Sequence, residues 1–184
     1  YSQIGEYNEE VLAYNAKFEA THKNADAATL KEMGESIYLV QCAQCHGTTG
    51  DGLSGKAQDF TSRMTKDQVL DVIKNGQSQL GYAMGAMPAG MAQGEQAEAI
   101  AAYVAGGMKG EQPASFAACS SCHGADGQGN NGMSPSLVSY DATLMSHTLQ
   151  NGKKGMIGKM PSFKTLITPV QEKALTVYVQ SLSN

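Results

Sequence analysis

The sequence has a single arginine and no long apolar run, and each shortage excludes a class of function. Arg63 is the only arginine among 184 residues, and the formal net charge is -4. A protein that follows nucleic-acid phosphates needs a basic surface, so we expect no nucleic-acid partner. No segment approaches the roughly 18 apolar residues of a membrane-spanning helix. We therefore expect any association with a membrane to depend on an anchor outside this chain.

The rest of the composition is that of an ordinary soluble protein. Apolar residues make up 41% and charged residues 16% of the chain, which suits one or two globular domains. The chain begins at Tyr1 and lacks the basic and apolar segments of a signal peptide. This start predicts a processed or trimmed mature segment.

The four cysteines form two close pairs, and a histidine follows each pair directly. The segments are CAQCHG at 42–47 and CSSCHG at 119–124. C-x-x-C-H is the attachment signature of a c-type haem, because two thiols add to the vinyl groups of one porphyrin and the adjacent histidine ligates the iron. We therefore predict two covalently attached haem c groups. Their thioether bonds are expected at Cys42, Cys45, Cys119 and Cys122, and their proximal ligands at His46 and His123.

A structural zinc site is the main alternative for the cysteines. All four thiolates would have to share one ion, although 73 residues separate the two pairs. Ribbon-type zinc sites separate their pairs by about 15–20 residues, and such a site would leave both histidines unexplained. A single motif could also be a thioredoxin-like redox pair or part of a disulfide framework. Two copies, each with its histidine, favour haem attachment.

The similarity between the two motifs extends into a repeat that spans most of the chain. Three glycines recur at equal spacing after each histidine. AMPAG at 86–90 matches KMPSF at 159–163, and AAYVAG at 101–106 matches TVYVQS at 176–181. The repeat predicts two equivalent units of about 70 residues, a size at which an apolar core alone is marginal. A large apolar haem would complete each core.

Apolar spacing and end signals predict that each unit is helical. The first helix carries apolar residues at helical spacing and runs into the first cysteine pair. A middle helix is predicted to start at the capping-box segment TKDQ (65–68) and to stop at Asn75-Gly76. The last helix is predicted to start at TPVQ (168–171), with proline in its first turn. The predicted apolar faces are Leu30, Met33, Ile37 and Val40 in the first helix and Leu175, Tyr178, Val179 and Leu182 in the last.

The sixth ligand of each iron distinguishes an electron carrier from a catalyst. Met87 and Met160 share a Met-Pro context and the same place between the Asn-Gly stop and the last helix of their units. Proline restricts the backbone beside the sulfur. We predict Met87 as the distal ligand of the first haem, opposite His46, and Met160 as that of the second, opposite His123. The methionines without a repeat counterpart, which are expected to pack at a haem edge or on the surface, are Met84, Met91 and Met156.

The two units differ at one position that bears on the proximal histidines. Pro135 lies twelve residues after His123, where a backbone carbonyl often accepts the Nδ1 proton, but Gln58 stands at the equivalent place after His46. This bond sets the basicity of the iron ligand. Either the carbonyl of Gln58 takes the same role, or the first haem is tuned differently.

With these motifs the chain resembles tandem class I cytochrome c domains, and more specifically the periplasmic dihaem part of the CcoP (FixP) subunit of cbb3-type cytochrome c oxidases. The N-terminal segment IGEYNEEVLAYNAKFE at 4–19 points to this subunit. The resemblance implies an all-α fold in which two tandem class I cytochrome c domains, each a small helical bundle around one covalent haem c, follow an N-terminal helix. The expected bounds are 1–28 for the N-terminal lead, 29–107 for the first domain, 108–114 for a linker and 115–184 for the second domain.

The resemblance also implies a function. The chain is expected to be an electron-transfer module, not an enzyme by itself, that relays electrons in the periplasm from a donor cytochrome to a haem–copper catalytic subunit. His/Met ligation agrees with this role because it leaves no open position for a substrate. Two other functions stay open: a free dihaem shuttle similar to cytochrome c4, and a dihaem peroxidase, in which one iron must open. No catalytic residue is predicted.

The N-terminal segment carries one apolar stripe on an otherwise polar helix. Its members are Tyr7, Val11, Tyr14 and Phe18, which lie at helical spacing. The stripe either packs on the first haem domain, which we favour, or docks against a membrane partner.

Overall fold

The regular secondary structure of the described chain is almost entirely helical, which confirms the predicted fold class. The computed structural model describes residues 2–155 and 157–183, and the side chains of residues 2–8 and 11 lie outside this description. No described helix is both long and apolar enough to cross a membrane. The helices are α1 (Ser2–His22), α2 (Ala27–Gln41), α3 (Ala43–His46), α4 (Lys66–Asn75), α5 (Gly94–Ala105), α6 (Ala117–His123), α7 (Ala142–Asn151) and α8 (Pro169–Leu182). A 3-10 turn (Ala114–Phe116) precedes α6, and the strands β1 (Lys153–Gly155) and β2 (Gly158–Met160) form an antiparallel hairpin.

Two of the predicted helix starts are confirmed by their capping geometry. At α4 the Gln68 amide donates to the Thr65 hydroxyl at 3.2 Å, and the Thr65 amide donates to the Gln68 side chain at 3.0 Å. The same reciprocal pair joins Thr168 and Gln171 at the start of α8, with Pro169 as its first residue. Such capping boxes satisfy amides that have no partner within the helix. The sequence therefore determines both starts locally.

The buried face of α2 differs from the predicted one. Leu30, Gly34 and Tyr38 are buried, whereas Val40, which the spacing placed on the apolar face, is 78% exposed. The helix turns this face inward because Gly34 permits a close approach: a Cβ at that position would overlap the carbonyl oxygen of Ala174 in α8. Packing between two helices thus overrides the best apolar spacing of one.

The larger core joins the first helix of the first repeat to the last helices of the second. α2 packs against α8, with the rings of Tyr38 and Tyr178 5.2 Å apart between centroids. α7 packs on α8, and Leu80 and Tyr82 from the first repeat join the same cluster. Burial of such apolar side chains is the main favourable term in folding. We call this cluster the α2–α8 core.

The second core joins the end of the first repeat to the start of the second. Val69 and Ile73 of α4 pack with α5 and with Phe116 of the 3-10 turn, which is fully buried. The ring of Tyr103 in α5 meets Phe116 edge-on, with 5.6 Å between centroids. Cys119 of α6 packs against the same cluster. We call it the α4–α6 core.

Each core therefore combines the attachment half of one repeat with the distal half of the other. Repeat-equivalent glycines show the same exchange: a Cβ at Gly50 would lie 2.7 Å from Leu182, and one at Gly127 would overlap the side chain of Met108. The tandem arrangement expected from the sequence pairs these halves within each repeat. Equivalent halves of the two repeats have similar apolar patterns, so the sequence suits pairing within a repeat and pairing between repeats equally. Only side-chain packing distinguishes the two pairings. The predicted domain bounds stay a prediction.

The C-terminal end of α1 contacts the rest of the molecule. Phe18 packs against a small cluster that contains Val170 and Ala174 of α8, and the Glu19 carboxylate accepts the Val170 amide at 3.0 Å. Tyr14 is 67% exposed, and the side chains of the other two stripe residues, Tyr7 and Val11, lie outside the described residues. Phe18 thus packs on a cluster that Leu30 of α2 shares with α8, and the packing of the whole stripe on the first haem domain stays a prediction.

Candidate functional site

The first C-x-x-C-H motif lies on a short helix that continues directly from α2. Cys42 is the residue between α2 and α3 and is buried, whereas Cys45 is exposed. Burial, with a smaller contribution from the neighbouring Cys45, raises the pKa of the Cys42 thiol to about 11. Both thiols are free. Cys42 is therefore a neutral thiol at pH 7, and both cysteines are available for covalent attachment.

The second motif lies on α6, which the buried Phe116 holds against the α4–α6 core. Cys119 and Cys122 are half-buried and free. Burial is the main cause that raises the pKa of the Cys119 thiol. The helical turn places the two thiols of each pair and the following histidine on successive positions of one helix end, as the attachment chemistry requires.

The described residues do not support the alternative uses of the cysteines. The four thiols form no disulfide. Within residues 2–155 and 157–183, no three histidine, cysteine or acidic side chains lie close enough together to hold a metal ion. A zinc ion shared by the two pairs would need four such ligands together, so this arrangement does not fit zinc.

Both proximal histidines are held in the same way by a backbone carbonyl. His46 Nδ1 lies 3.0 Å from the Gln58 carbonyl oxygen, and His123 Nδ1 lies 2.8 Å from that of Pro135. A carbonyl only accepts, so each Nδ1 carries the proton and each Nε2 keeps a free lone pair. Burial lowers the pKa of both histidines. Each imidazole is thus neutral, oriented and ready to ligate a metal through Nε2.

This geometry answers the question raised by the difference between the two units. Gln58 uses its own carbonyl in the place of Pro135. Its side chain makes further bonds: Nε2 donates to the Tyr140 hydroxyl at 3.0 Å, and Oε1 accepts from Gln68 at 2.8 Å. A proline at that position could make neither side-chain bond. Gln58 therefore links the first histidine to the second repeat.

Aromatic contacts that the sequence did not predict fix the ring of His46. Phe60 stacks on His46 with 4.5 Å between centroids and 24° between planes. The edge of Phe60 meets Tyr140 at 5.4 Å and Tyr38 at 6.2 Å. The position equivalent to Phe60 in the second unit is a leucine, so no pattern shared by the repeats marked this contact.

The two Met-Pro loops are seated alike at the ends of α4 and α7. Met87 exchanges two backbone hydrogen bonds with Gln77, at 2.9 and 3.0 Å. The chain turns into this pairing at Gly76, whose φ of +73° suits glycine and whose Cβ would lie 2.6 Å from the Met87 carbonyl. Met160 pairs with Lys153 across the hairpin, and Gly152 lies under its carbonyl. Both methionines are half-buried.

The two methionines differ in which attachment motif they accompany. Met160 packs against the α2–α8 core, which contains Cys42. Met87 closes the end of α4, whose Val69 and Ile73 belong to the core that contains Cys119. These contacts place Met160 beside the core of the first motif and Met87 at the end of a helix in the core of the second. The sequence predicts Met87 for the first iron and Met160 for the second, and that ligation stays a prediction. The placement of the two methionines follows from the exchange of halves described above.

The remaining methionines of these loops lie away from the cores. Met84 is 45% and Met91 is 40% exposed. Met84 donates its backbone amide to the carbonyl of Met133 at 3.0 Å, which ties the first distal loop to the second repeat. Met156 lies outside the described residues.

These observations fit covalent haem at both motifs. Each motif offers two free thiols on a helix end, a neutral histidine with a free Nε2 and a half-buried methionine on the loop that closes the same core. Two cysteine thioether bonds to the porphyrin, with a histidine nitrogen and a methionine sulfur as iron ligands, are the set that holds a low-spin c-type haem. The fold and the two sites define a c-type cytochrome with two attachment motifs.

Comparisons with known proteins agree with this class. The family described as cytochrome c oxidase, cbb3-type, subunit III matches residues 29–104 and 112–179. A cbb3-type cytochrome c oxidase subunit CcoP of Helicobacter pylori is 40% identical over an alignment of 200 positions, which covers 99% of this chain and 68% of that protein. The subunit FixP of Bradyrhizobium diazoefficiens is 29% identical, over 84% of this chain and 62% of that protein. A cytochrome c-551 of Bacillus subtilis matches 49% of this chain at 29% identity.

The chain therefore belongs to the family of subunit III of cbb3-type cytochrome c oxidases, as the sequence motifs had indicated. It is a cytochrome c subunit that serves electron transfer, and haem c is the cofactor of its family.

Proposed function

We propose that the chain is a dihaem electron relay that takes electrons from a donor cytochrome and passes them to the haem–copper catalytic subunit of a cbb3-type oxidase. It works in the periplasm, is not itself catalytic, and is held to the membrane through an anchor outside this chain. The observation that carries the proposal is the duplicated site: two neutral, oriented histidines, each beside a pair of free thiols.

The proposed iron ligands are His46 with Met160 and His123 with Met87. The support is the packing of Met160 on the core of Cys42 and the seating of Met87 on the helix that packs with Cys119. The attachment residues are Cys42, Cys45, Cys119 and Cys122. In this arrangement each haem would be held by residues of both repeats.

The bound haem would supply a one-electron carrier, and the chain's residues would keep its chemistry restricted to that. The carbonyls of Gln58 and Pro135 hold the proximal imidazoles in one tautomer, which fixes their basicity. The backbone pairing of Met87 with Gln77 limits movement of the distal sulfur. With a histidine and a methionine both bound, the iron would have no position left for a substrate.

A redox titration of the haem-loaded protein, followed by visible absorbance, tests this function. We expect two reversible one-electron waves, and no rapid binding of carbon monoxide or cyanide to the resting protein. Rapid binding to either iron would contradict a pure relay and favour the peroxidase. A free shuttle similar to cytochrome c4 would show the same waves, but it would not co-purify with an oxidase catalytic subunit from membranes.

A further inference from the structure

The two distal loops are equivalent in the repeat but carry very different charge. Residues 76–93, around Met87, contain no charged residue, whereas residues 151–166, around Met160, contain four lysines and no acidic residue. The wider segment 142–171 also lacks acidic residues, so all 17 acidic side chains and nine of the 13 lysines and arginines lie elsewhere. One distal loop of an acidic protein is therefore strongly basic. We call residues 153–164 the lysine hairpin, and its lysines are Lys153, Lys154, Lys159 and Lys164.

The seating of the distal methionine does not require lysine. Met87 pairs through its backbone with Gln77, and the equivalent pairing in the second repeat joins Met160 to Lys153. Both pairings are made by main-chain groups, which every residue except proline can supply in full. A glutamine thus serves in one loop where a lysine stands in the other. The positive charge of the second loop needs another explanation.

The fold of the hairpin is weakened by its charges. Lys154 lies directly opposite Lys159 across the two strands, and like charges at such positions are destabilising. All four lysines of the hairpin are exposed, and the single salt bridge within residues 2–155 and 157–183 joins Lys66 to Glu98. The described part of the chain therefore neutralises none of the four. An exposed group of cations on an acidic protein attracts an anionic partner and orients it toward this face.

Exposed apolar side chains accompany the lysines. Ile157, between the two strands, is 40% exposed, and Leu166, two residues beyond Lys164, is 61% exposed. The loop is tied to the end of α7, because the Phe163 amide donates to the Leu149 carbonyl at 2.7 Å. Weak electron-transfer complexes have small interfaces, whereas lysine is depleted from protein interfaces and permanent ones are more apolar. The lysine hairpin thus fits a transient partner better than a permanent one.

The lysine hairpin adjoins a proposed iron ligand. Met160 is the last residue of β2 and packs against the α2–α8 core, which contains Cys42. Adjacent residues of a strand point to opposite faces, so Lys159 points away from the core that Met160 contacts. A partner on Lys159 would therefore lie on the solvent side of the strand that carries the distal sulfur.

We propose that the lysine hairpin is the docking surface for the electron donor, a c-type cytochrome whose own docking face is acidic. The proposal rests on the proposed function and adds the place of electron entry, which is the iron that Met160 ligates. The donor loses one electron and that iron gains it, while no bond forms or breaks. The loop around Met87 has no charge to offer an acidic donor, so entry occurs at one end of the molecule.

The probe for this proposal is mitochondrial cytochrome c in two forms. With free lysines the probe has a basic surface, and succinylation changes each modified lysine from one positive to one negative charge. Stopped-flow absorbance at low ionic strength follows electron exchange between each form and the haem-loaded protein. We expect exchange to be at least about tenfold faster with the acidic form. The difference should disappear near 1 M salt, where charges are screened beyond about 3 Å.

The hairpin variant is Lys154→Gln with Lys159→Gln, which removes two of the four charges. Its exchange with the acidic probe should be about threefold to tenfold slower, since charges at the rim of an interface act mainly on association. Calorimetry at low salt should show weaker binding of the same probe. The matched control is Lys74→Gln with Lys109→Gln, two exposed lysines outside the hairpin whose loss changes the net charge equally. It should leave both measurements nearly unchanged.

Equal slowing in the two double variants would reveal only an effect of net charge and would overturn the proposal, as would an unchanged rate in the hairpin variant. Binding to phosphatidylglycerol vesicles that is lost in the hairpin variant, with electron exchange unaltered, would assign the surface to lipid instead. Loss of co-purification with the oxidase catalytic subunit would assign it to a permanent interface. Absence of two reversible waves in the unmodified protein would contradict the proposed function itself.

Discussion

The guanidinium of Arg63 stacks on the ring of Tyr140, with 5.0 Å from its central carbon to the ring centroid. The two residues are equivalent in the repeat, each at the same distance in sequence from the histidine of its own motif. The pseudo-symmetry of the sequence thus brings two equivalent positions face to face. One carries a cation and the other an aromatic ring, so the contact is attractive. This pair marks the point at which the chain passes from one core to the other.

Replacement of Tyr140 by Phe is expected to destabilise the crossing while keeping its ring. The Tyr140 hydroxyl lies 2.7 Å from the Ser62 carbonyl and accepts from Gln58 Nε2 at 3.0 Å. Loss of a buried hydroxyl that makes such bonds costs about 1–3 kcal/mol, since its partners are left unsatisfied. Denaturant unfolding of the haem-loaded protein measures the change. The exposed Tyr14→Phe serves as control and should stay within about 0.5 kcal/mol of the unmodified protein.

The same hydroxyl predicts a loss of stability at alkaline pH. Burial is the main cause that raises the pKa of Tyr140 to about 12, from an ordinary value of 10.0. A raised native pKa means that the unfolded state releases its proton first as the pH rises. The stability contributed by the protonated Tyr140 hydroxyl is therefore complete below pH 10 and is lost as the pH rises toward 12. The free energy of unfolding should therefore fall above pH 10, and less steeply in Tyr140→Phe. Identical slopes in the two proteins would contradict the assignment.

The sequence predicted the helices, their caps and the attachment chemistry because each depends on neighbours along the chain. Thr65 and Gln68 contact within one turn, and Cys42, Cys45 and His46 lie on one short helix. The choice between Gln58 and another acceptor for His46 needed coordinates, since every residue has a carbonyl.

The pairing of the halves could not be predicted because it depends on contacts between repeats. Tyr103 and Tyr178 occupy equivalent positions in the two last helices, and each offers a ring to whichever first helix is near. A repeat predicts what its units share and not which unit meets which. The contact between Arg63 and Tyr140 was missed because it too joins the two repeats. The two positions are equivalent but carry different residue types, so the repeat did not mark them.

A double-mutant cycle on the two tyrosines of the α2–α8 core tests the exchange directly. The rings of Tyr38 and Tyr178 lie 5.2 Å apart, and aromatic pairs at this distance couple by about 0.5–1.5 kcal/mol. Leucine at both positions should therefore cost less than the sum of the single changes. The control cycle pairs Tyr38 with Tyr103, the repeat equivalent of Tyr178, and should be additive. Coupling in the control cycle alone would instead support the tandem arrangement, in which the two halves of each repeat pack on each other.

Gly34→Ala is expected to weaken the crossing of α2 and α8. The new Cβ would overlap the Ala174 carbonyl, which is backbone and cannot rotate away. Overpacking of this kind costs about 1–3 kcal/mol, more than the roughly 1 kcal/mol that alanine contributes in a helix. Thermal and denaturant unfolding report the difference. Gly155→Ala, where the added methyl meets open space, is the control, and equal stability of the two variants would argue against this helix contact.

The exchange also supports the proposed pairing of each distal methionine with a histidine, and a protein with one haem can test that pairing. Replacing Cys119 and Cys122 by serine leaves attachment only at Cys42 and Cys45. In that protein Met160→Ala should remove the sulfur ligand, because Met160 packs on the core that contains Cys42. Loss of a thioether ligand lowers the potential and opens the iron to carbon monoxide.

Met87→Ala is the matched control in the same protein. Met87 closes α4, which packs with Cys119, so its loss should leave the absorbance, the potential and the carbon monoxide affinity of the remaining haem unchanged. Circular dichroism before each titration checks that the helices have formed. If Met87→Ala opens the iron and Met160→Ala does not, each repeat ligates its own haem. The methionine of each unit would then follow the order of the sequence, and the exchange of cores would have to be abandoned with it.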